Sequence, residues 1–222
     1  MKEIEIKKIL IESLVTHANN VIGSEFRFDF GTRRADVISI SEGKITAYEI
    51  KGAGDNTDRL ENQIESYKKY FDQCFVVCEK SNIDIIRKKT PRSVGILLVE
   101  GKFVKQVRKP YQIKSHDKIA LASTIDIRLL RKLVTTKKLK SKHELCQHLS
   151  KQISLDEMRI ISRSEAFKKI IIPFETFLKE VGEEIHSDDI LTLTRMPSIE
   201  LFLHSESGSR RHVIVHSYRY PK

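Results

Sequence analysis

The sequence predicts an α/β fold in which a mixed sheet is flanked by helices and followed by a mainly helical segment. Apolar residues in the first half alternate between a period of two and helical spacing, whereas apolar residues after Pro110 keep helical spacing. We therefore expect residues 1–112 to form the α/β domain and residues 113–222 to form a mainly helical, basic domain.

The composition narrows the class of protein. The chain has 222 residues, 40% hydrophobic and 32% charged, which is typical of a globular protein and excludes a disordered one. Forty Lys and Arg residues against 30 Asp and Glu give a net charge of +10, which favours nucleic acid as a partner. With three cysteines, no signal-peptide pattern and no membrane-length apolar run, we expect a cytoplasmic protein that does not bind membranes.

The order of elements in the first half follows from the spacing of its apolar residues. Alternating or continuous apolar runs predict strands, and apolar positions three or four apart predict helices. The predicted order is a helix over residues 2–19, strands over 26–30, 35–40 and 45–50, a helix over 58–71, a strand over 74–78, a helix over 83–87, and strands over 94–99 and 103–107.

The second half carries fewer signals. Helical spacing runs over residues 126–184, and Ser141 with Glu144 three residues later predicts a capping box. Residues 126–151 are compatible with a helix-turn-helix but show no signature of one. The run His212–Tyr220 could form a strand.

The second and third strands predict a hairpin with a defined register. If Ser41 and Lys44 flank a two-residue turn, the numbers of paired residues add up to 85, and Asp36 lies opposite Glu49. Lys51 is two residues beyond Glu49 and points to the same face. The hairpin therefore brings two carboxylates and an ammonium together at the end of an apolar surface.

This combination of charges favours metal chemistry. Two neighbouring carboxylates repel each other, and burial increases the cost. A divalent cation removes the repulsion, and Mg²⁺ prefers one or two carboxylates together with waters and phosphate oxygens. With Lys51 to hold a water or a phosphate oxygen, the set is suited to metal-assisted phosphodiester hydrolysis.

The same residues resemble those of a known superfamily. Asp36, the run Glu49-Ile50-Lys51 and Gln63 on the following helix are similar to the motif of the PD-(D/E)XK nucleases, which have a restriction-endonuclease-like fold. The resemblance covers residues 1 to about 108 and is strongest with small bacterial and prophage proteins. It departs from the motif where Ala35 replaces the proline.

The resemblance implies a role for each residue. Asp36, Glu49 and the backbone carbonyl of Ile50 would bind Mg²⁺, for which Mn²⁺ could substitute. Lys51 would position the water or the phosphate, and Gln63 would orient Lys51 or the phosphate. Some members have a further acid before the hairpin, and Glu25 or Glu12 could supply it.

Basic residues supply candidates for nucleic-acid binding. Arg34 precedes the hairpin site, and no acid lies between Asp126 and Glu144 in the densest basic stretch. That stretch is either a solvated helix face or a surface that follows phosphates, and the second half could instead bind a second copy or a protein partner. Its candidate nucleic-acid ligands are Arg131, Lys132, Lys137 and Lys138.

Other chemistry-bearing residues favour structural roles. The spacing of His143, Cys146 and His148 does not place all three on one helix face, which disfavours a zinc site. We expect Cys74 and Cys78 in the core. We also expect Tyr67 to be a core aromatic rather than a base-stacking platform, and Asp58 to cap the helix that follows.

The sequence therefore favours a metal-dependent nuclease that acts on DNA rather than RNA. Two alternatives remain open at this stage. One is a non-catalytic nucleic-acid-binding protein with the same fold, and the other is a toxin-like RNase.

Overall fold

A computed structural model describes residues 1–135 and 138–194. It shows an α/β fold with a six-stranded mixed sheet flanked by helices, and a helical segment after the sheet, as the sequence predicts. In the described ranges, no helix is both long enough and apolar enough to cross a membrane. The strand predicted over His212–Tyr220 lies outside the described residues.

The strands and helices are numbered in chain order. The strands are β1 (Val21–Phe28), β2 (Arg33–Ser41), β3 (Lys44–Lys51), β4 (Gln73–Cys78), β5 (Gly95–Glu100) and β6 (Phe103–Arg108). The helices are α1 (Glu3–Val15), α2 (Leu60–Lys68), α3 (Ile83–Lys89), α4 (Lys118–Ala122), α5 (Ile127–Leu133), α6 (Lys142–Gln152), α7 (Leu155–Glu180) and α8 (Ser187–Thr192).

The sheet follows the order of the chain, from β1 to β6. Strands β1, β2 and β3 are antiparallel, β3, β4 and β5 are parallel, and β6 pairs antiparallel with β5. Parallel neighbours need a crossover, and α2 and α3 supply the two crossovers. Strand β4 lies in the middle of the sheet, which explains its continuous apolar run and the burial of Cys74 and Cys78.

The start of the sheet differs from the prediction over residues 26–30. Strand β1 begins earlier, at Val21, and ends at Phe28, before the third phenylalanine of the alternating run. Phe30 has a φ of 56° within a short 3-10 turn, Asp29–Gly31, that joins β1 to β2. The alternation of apolar and polar residues correctly predicted strand at Phe26 and Phe28, but it could not show that the chain reverses direction at Phe30.

Helix α7 packs against both faces of the sheet. Its residues Ala166 and Ile170 join a core with α4, α5 and α6 on one face, and Phe174 and Phe177 join a core with α1 on the other. The helix contacts β1, and a methyl group on Gly23 would lie 2.9 Å from Ile170 Cγ2. Glycine is therefore required here for the close approach of helix and strand.

A buried ion pair connects α7 to the sheet. The carboxylate of Asp72, just before β4, accepts hydrogen bonds from Ile45 N at 2.8 Å and Arg163 Nε at 3.0 Å. The Arg163 guanidinium also donates to the Tyr70 carbonyl and lies 5.1 Å from the centre of the Tyr70 ring. Residues on both sides of position 112 thus share one core, while the division into two domains stays a prediction.

Of the two helix caps that the sequence predicts, one is confirmed and one is wrong. Ser141 and Glu144 form the predicted capping box of α6. The predicted cap at Asp58 is wrong, because α2 begins at Leu60 after Arg59, which makes no side-chain capping bond. The Asp58 carboxylate instead accepts a hydrogen bond from Lys89 Nζ at 3.0 Å. The ion pair joins Asp58 to a helix that is distant in sequence. The residues around Asp58 give no signal for such a pair, and for this reason the cap was predicted wrongly.

Candidate active site

The predicted register of the β2–β3 hairpin is confirmed. Ser41 pairs with Lys44, and the ladder continues to Val37, which pairs with Tyr48, so that the paired numbers add up to 85. The ladder ends one step before Asp36. The Asp36 side chain takes over, because its Oδ2 accepts a hydrogen bond from Ile50 N at 2.8 Å. The carboxylate is thus fixed against the end of β3.

The geometry at Asp36 results from an irregularity in the neighbouring strand. Glu25 has a φ of 55°, and the β1–β2 ladder omits the pair that Glu25 would form with Asp36. On one side of the Glu25–Asp36 position, Ile22 and Val37 face the core with α1. On the other side of it, Phe26 and Ala35 face the core with α4 and α6. Both strands therefore exchange their faces at Glu25 and Asp36. The exchange places the carboxylates of Glu25 and Asp36 at the opening of the sheet, which is the point where β2 no longer pairs regularly with β1 and β3.

Glu49 lies in a buried hydrogen-bonded network on β3 and α2. Its side chain is about 2% exposed. Its Oε1 accepts from Lys51 Nζ at 2.8 Å, and its Oε2 accepts from the Tyr67 hydroxyl at 2.5 Å. Lys51 Nζ also donates to Gln63 Oε1 at 3.3 Å. The structure thus brings Glu49, Lys51 and Gln63 together, and their chemical roles stay predictions.

Tyr67 combines a structural position with a place in the site. Its ring is buried and packs against Phe28 and Phe71, which confirms the expectation of a core aromatic. Its hydroxyl, however, contacts Glu49, a contact that the sequence analysis did not foresee. The available signal was its spacing, because Tyr67 follows Gln63 by four residues and lies on the same helix face.

The carboxyl of Asp36 is held in an environment that favours its neutral form. Burial in the first place, and then the charges of Glu49 and Glu3, raise its pKa to about 7. The Ile50 N–H and the charge of Lys7 act in the opposite direction on this pKa. A cation close to Asp36 would stabilise the ionised carboxylate, so cation binding and loss of the proton are coupled.

A second group of acids adjoins Asp36. Glu3, Glu25 and Asp36 each place one carboxylate oxygen within 4.8 Å of the others. The buried Lys7 forms an ion pair with Glu25 and lies 3.7 Å from Glu3, and Arg34 Nε lies 2.6 Å from Glu25 Oε2. Protein cations therefore pair with Glu25 and Glu3 of this group.

The structure distinguishes between the candidates for an additional acid. Glu25 lies beside Asp36, whereas Glu12 is exposed and is absent from this group in the described part of the chain. Glu3 belongs to the group although the sequence analysis did not select it. Its position four residues before Lys7 on α1 was a signal for an ion pair but not for a site.

The carboxylate oxygens of Glu3, Glu25 and Asp36 are the type of ligand that Mg²⁺ or Mn²⁺ prefers. The donor set fits a hard divalent cation, because Asp36 shares a group of carboxylates with Glu3 and Glu25 and is close enough to Glu49 for the charge of Glu49 to raise its pKa. Lys7 occupies the same surroundings, so a cation that binds Glu25 competes with the ammonium of Lys7. The site is thus suited to a cation, and the ammonium of Lys7 is the protein cation that already lies there.

Comparison with known proteins shows the family. A model of bacteriophage P4 protein cII matches residues 1–194. The chain belongs to the bacteriophage P4 protein cII family. Protein cII of Enterobacteria phage P4 is 22% identical over 245 residues, which cover 88% of this chain and 91% of the relative. A protein of unknown function from Silicibacter pomeroyi is 18% identical, with a TM-score of 0.41 over 51% of this chain and 75% of its own.

The candidate nucleic-acid ligands of this cII-family protein are exposed where the structure describes them. Arg34 lies on β2, Arg131 and Lys132 lie on α5, and Lys138 precedes α6. Lys137 lies outside the described residues.

The expected absence of a zinc site at His143, Cys146 and His148 stays a prediction. Cys146 is buried, His148 is half-buried, and His143 is exposed. The ring of His143 lies 5.1 Å from that of Phe30.

Proposed function

We propose that this protein is a metal-dependent nuclease with a restriction-endonuclease-like PD-(D/E)XK core, and that it hydrolyses phosphodiester bonds in DNA. The observation that carries the proposal is the position of Asp36 at the opening of the sheet, beside the buried network of Glu49, Lys51 and Gln63. The mixed sheet flanked by helices supports the fold assignment.

The buried charges of this network favour a chemical role. Removing a carboxylate and an ammonium from water costs several kcal/mol per ion, and the ion pair only partly offsets this. Here the pair has further partners in Tyr67 and Gln63, so the network holds the Lys51 ammonium in one place. A fixed ammonium at the opening of the sheet is what positioning a phosphate requires.

In the proposed mechanism, Asp36, Glu49 and the Ile50 carbonyl would hold Mg²⁺, with Glu25 and Glu3 next to Asp36. A bound Mg²⁺ would supply polarisation of the scissile phosphate and a lower pKa of a bound water. Asp36 would have to release its proton for this role, because a carboxylate must be ionised to act as a ligand. Lys51 orients the phosphate or the attacking water, and Gln63 holds the Lys51 ammonium in place.

A direct assay tests the proposal. The purified protein is incubated with supercoiled plasmid, linear duplex, single-stranded DNA and RNA in the presence of Mg²⁺, Mn²⁺ or EDTA. We expect cleavage of DNA with either metal and none with EDTA, and we expect Glu49→Gln to remove it. Asp58→Asn is the matched control, because it neutralises an exposed acid outside the network. If no substrate is cut, or if Glu49→Gln cuts like the wild type, the nuclease proposal is wrong.

One observation favours a second candidate, a non-catalytic nucleic-acid-binding protein with the same fold. Lys7 and Arg34 pair with Glu25, and Lys51 pairs with Glu49, so these acids already have protein partners without a metal. This candidate predicts DNA binding that is unchanged by EDTA, without any cleavage. A toxin-like RNase would instead cut only the RNA substrate in the same assay.

A further inference from the structure

The tip of the β1–β2 hairpin contacts the start of α6. Phe30, in the turn between the strands, places its ring 5.1 Å from that of His143, the second residue of α6. Phe30 also packs against the core that contains Leu130 of α5. The hairpin that carries Asp36 thus meets α6 at its far end and shares a core with α5.

Exposed cations lie on both sides of this contact. Among the exposed cations of the hairpin tip and of the segment on and after α5, only Arg34 has a carboxylate within 4 Å in the described ranges. The two exposed acids on the α5 and α6 side, Asp126 and Glu144, are engaged by backbone N–H groups as helix caps. We call these cations the tip surface: Arg27, Arg33 and Arg34 on the hairpin, and Arg128, Arg131, Lys132, Lys138 and Lys140 on and after α5.

We propose that the tip surface anchors the phosphate backbone of duplex DNA, and that the anchored duplex runs along the hairpin to Asp36. Unpaired, exposed cations bind phosphates by releasing counterions from the DNA. The contact between Phe30 and His143 brings together the two segments that carry these cations, which are about 100 residues apart in the chain. The anchoring does not need catalysis, although its purpose rests on the proposed nuclease function.

The geometry gives the distance between anchor and site. Arg33 and Asp36 are three residues apart on β2, which corresponds to about 10 Å. Thr32, at the hairpin tip, is one residue further, so the tip lies about 13 Å from Asp36. At about 3.4 Å per base pair, this length corresponds to roughly four base pairs of duplex. The duplex must therefore extend about that far beyond the point that lies at Asp36.

Binding measurements in EDTA test the anchor without requiring cleavage. Fluorescence anisotropy with a labelled duplex gives the affinity at several salt concentrations. The double variant Arg131→Ala/Lys132→Ala should weaken binding and reduce the salt slope by about two units, one for each phosphate that the protein no longer neutralises. Arg87→Ala/Lys88→Ala is the matched control, because these exposed cations lie on α3, which packs under β4 and β5.

A variant in the turn tests whether the surface is continuous. Phe30→Gly removes the ring, and glycine accepts the positive φ of this position without strain. We expect it to weaken binding of duplex while all the cations remain. If its binding curve overlays that of the wild type, the hairpin and α5 do not act as one surface.

Tethered cleavage tests the path of the DNA. The cysteines of the described residues are buried, so a cysteine introduced at Thr32 on the hairpin tip or at Glu3 beside Asp36 can be labelled selectively with an iron chelate. We expect the two labels to cut a duplex at positions about four base pairs apart. If the two patterns coincide, or if RNA or an acidic protein binds the tip surface and DNA does not, the inference is wrong. None of these readouts depends on the nuclease activity.

Discussion

The buried carboxylate of Asp72 and the half-buried carboxylate of Asp36 differ in how completely the protein satisfies them. Asp72 accepts hydrogen bonds from Ile45 N and Arg163 Nε, and His116 Nε2 lies 3.6 Å away. Asp36 accepts one hydrogen bond, from Ile50 N, and its neighbours include other carboxylates, which raise its pKa. Burial by itself therefore does not mark a functional site.

The difference separates a structural charge from a candidate ligand. An acid that is paired with a guanidinium and with backbone donors stabilises the packing of two elements, and Asp72 does this between the sheet and α7. An acid that keeps unsatisfied capacity beside other acids costs stability unless a cation arrives. Asp36 is in the second situation, which is typical of metal-binding carboxylates.

The largest effect on stability is expected at the ion pair between Arg163 and Asp72. Arg163→Met should lower the free energy of unfolding by about 3–5 kcal/mol, because it leaves the Asp72 carboxylate buried without its guanidinium. Urea denaturation followed by circular dichroism measures this. Arg131→Met on the exposed face of α5 is the control and should change stability little. If both variants unfold alike, Asp72 is not a structural anchor.

The largest effect on activity is expected at Lys51. Lys51→Ala should slow cleavage roughly a hundredfold or more, the scale of losing one aligned electrostatic group. Metal binding should survive because lysine is not a metal ligand, and isothermal titration with Mn²⁺ measures this. Lost metal affinity would contradict this division of roles. Lys68→Ala, which removes an ammonium paired with Glu65 on α2, is a suitable control.

The raised pKa of Asp36 predicts a pH dependence of stability. Its pKa is about 7 in the folded protein and near 4 in the unfolded chain, so the folded state binds the extra proton between these values. The contribution of Asp36 to stability is therefore fully present below about pH 4 and is lost as the pH rises towards 7. Asp36→Asn should remove this part of the profile, as measured by urea unfolding at several pH values. A profile identical to that of the wild type would show that Asp36 does not titrate in this range.

The smallest effect is expected at Tyr67. Tyr67→Phe keeps the ring in the core but removes the hydrogen bond to Glu49, which should cost about 1 kcal/mol of stability. Because Glu49 would then be less well oriented, we also expect a higher metal requirement for cleavage. A titration of rate against Mg²⁺ tests this. Tyr70→Phe is the matched control, because its hydroxyl contacts Thr124, outside the Glu49 network.

Much of the fold could be predicted because its signals are local. The spacing of apolar residues predicted the sheet and the helices, and the turn at Glu42–Gly43 set the register that connects Asp36 to the end of β3. The left-handed conformation of Glu25 could not be predicted, because glutamate rarely adopts it and the surrounding structure imposes it. The exchange of faces at Asp36 depends on that residue and was therefore also missed.

The sequence by itself determined the alternation of strands and helices, the register of the β2–β3 hairpin and the neighbourhood of Glu49 and Lys51, since each depends on residues close together in the chain. Only the tertiary structure decided which acids join Asp36, how Tyr67 reaches Glu49 and where α6 meets the hairpin. These contacts join residues that are distant in sequence, and they depend on how whole elements pack.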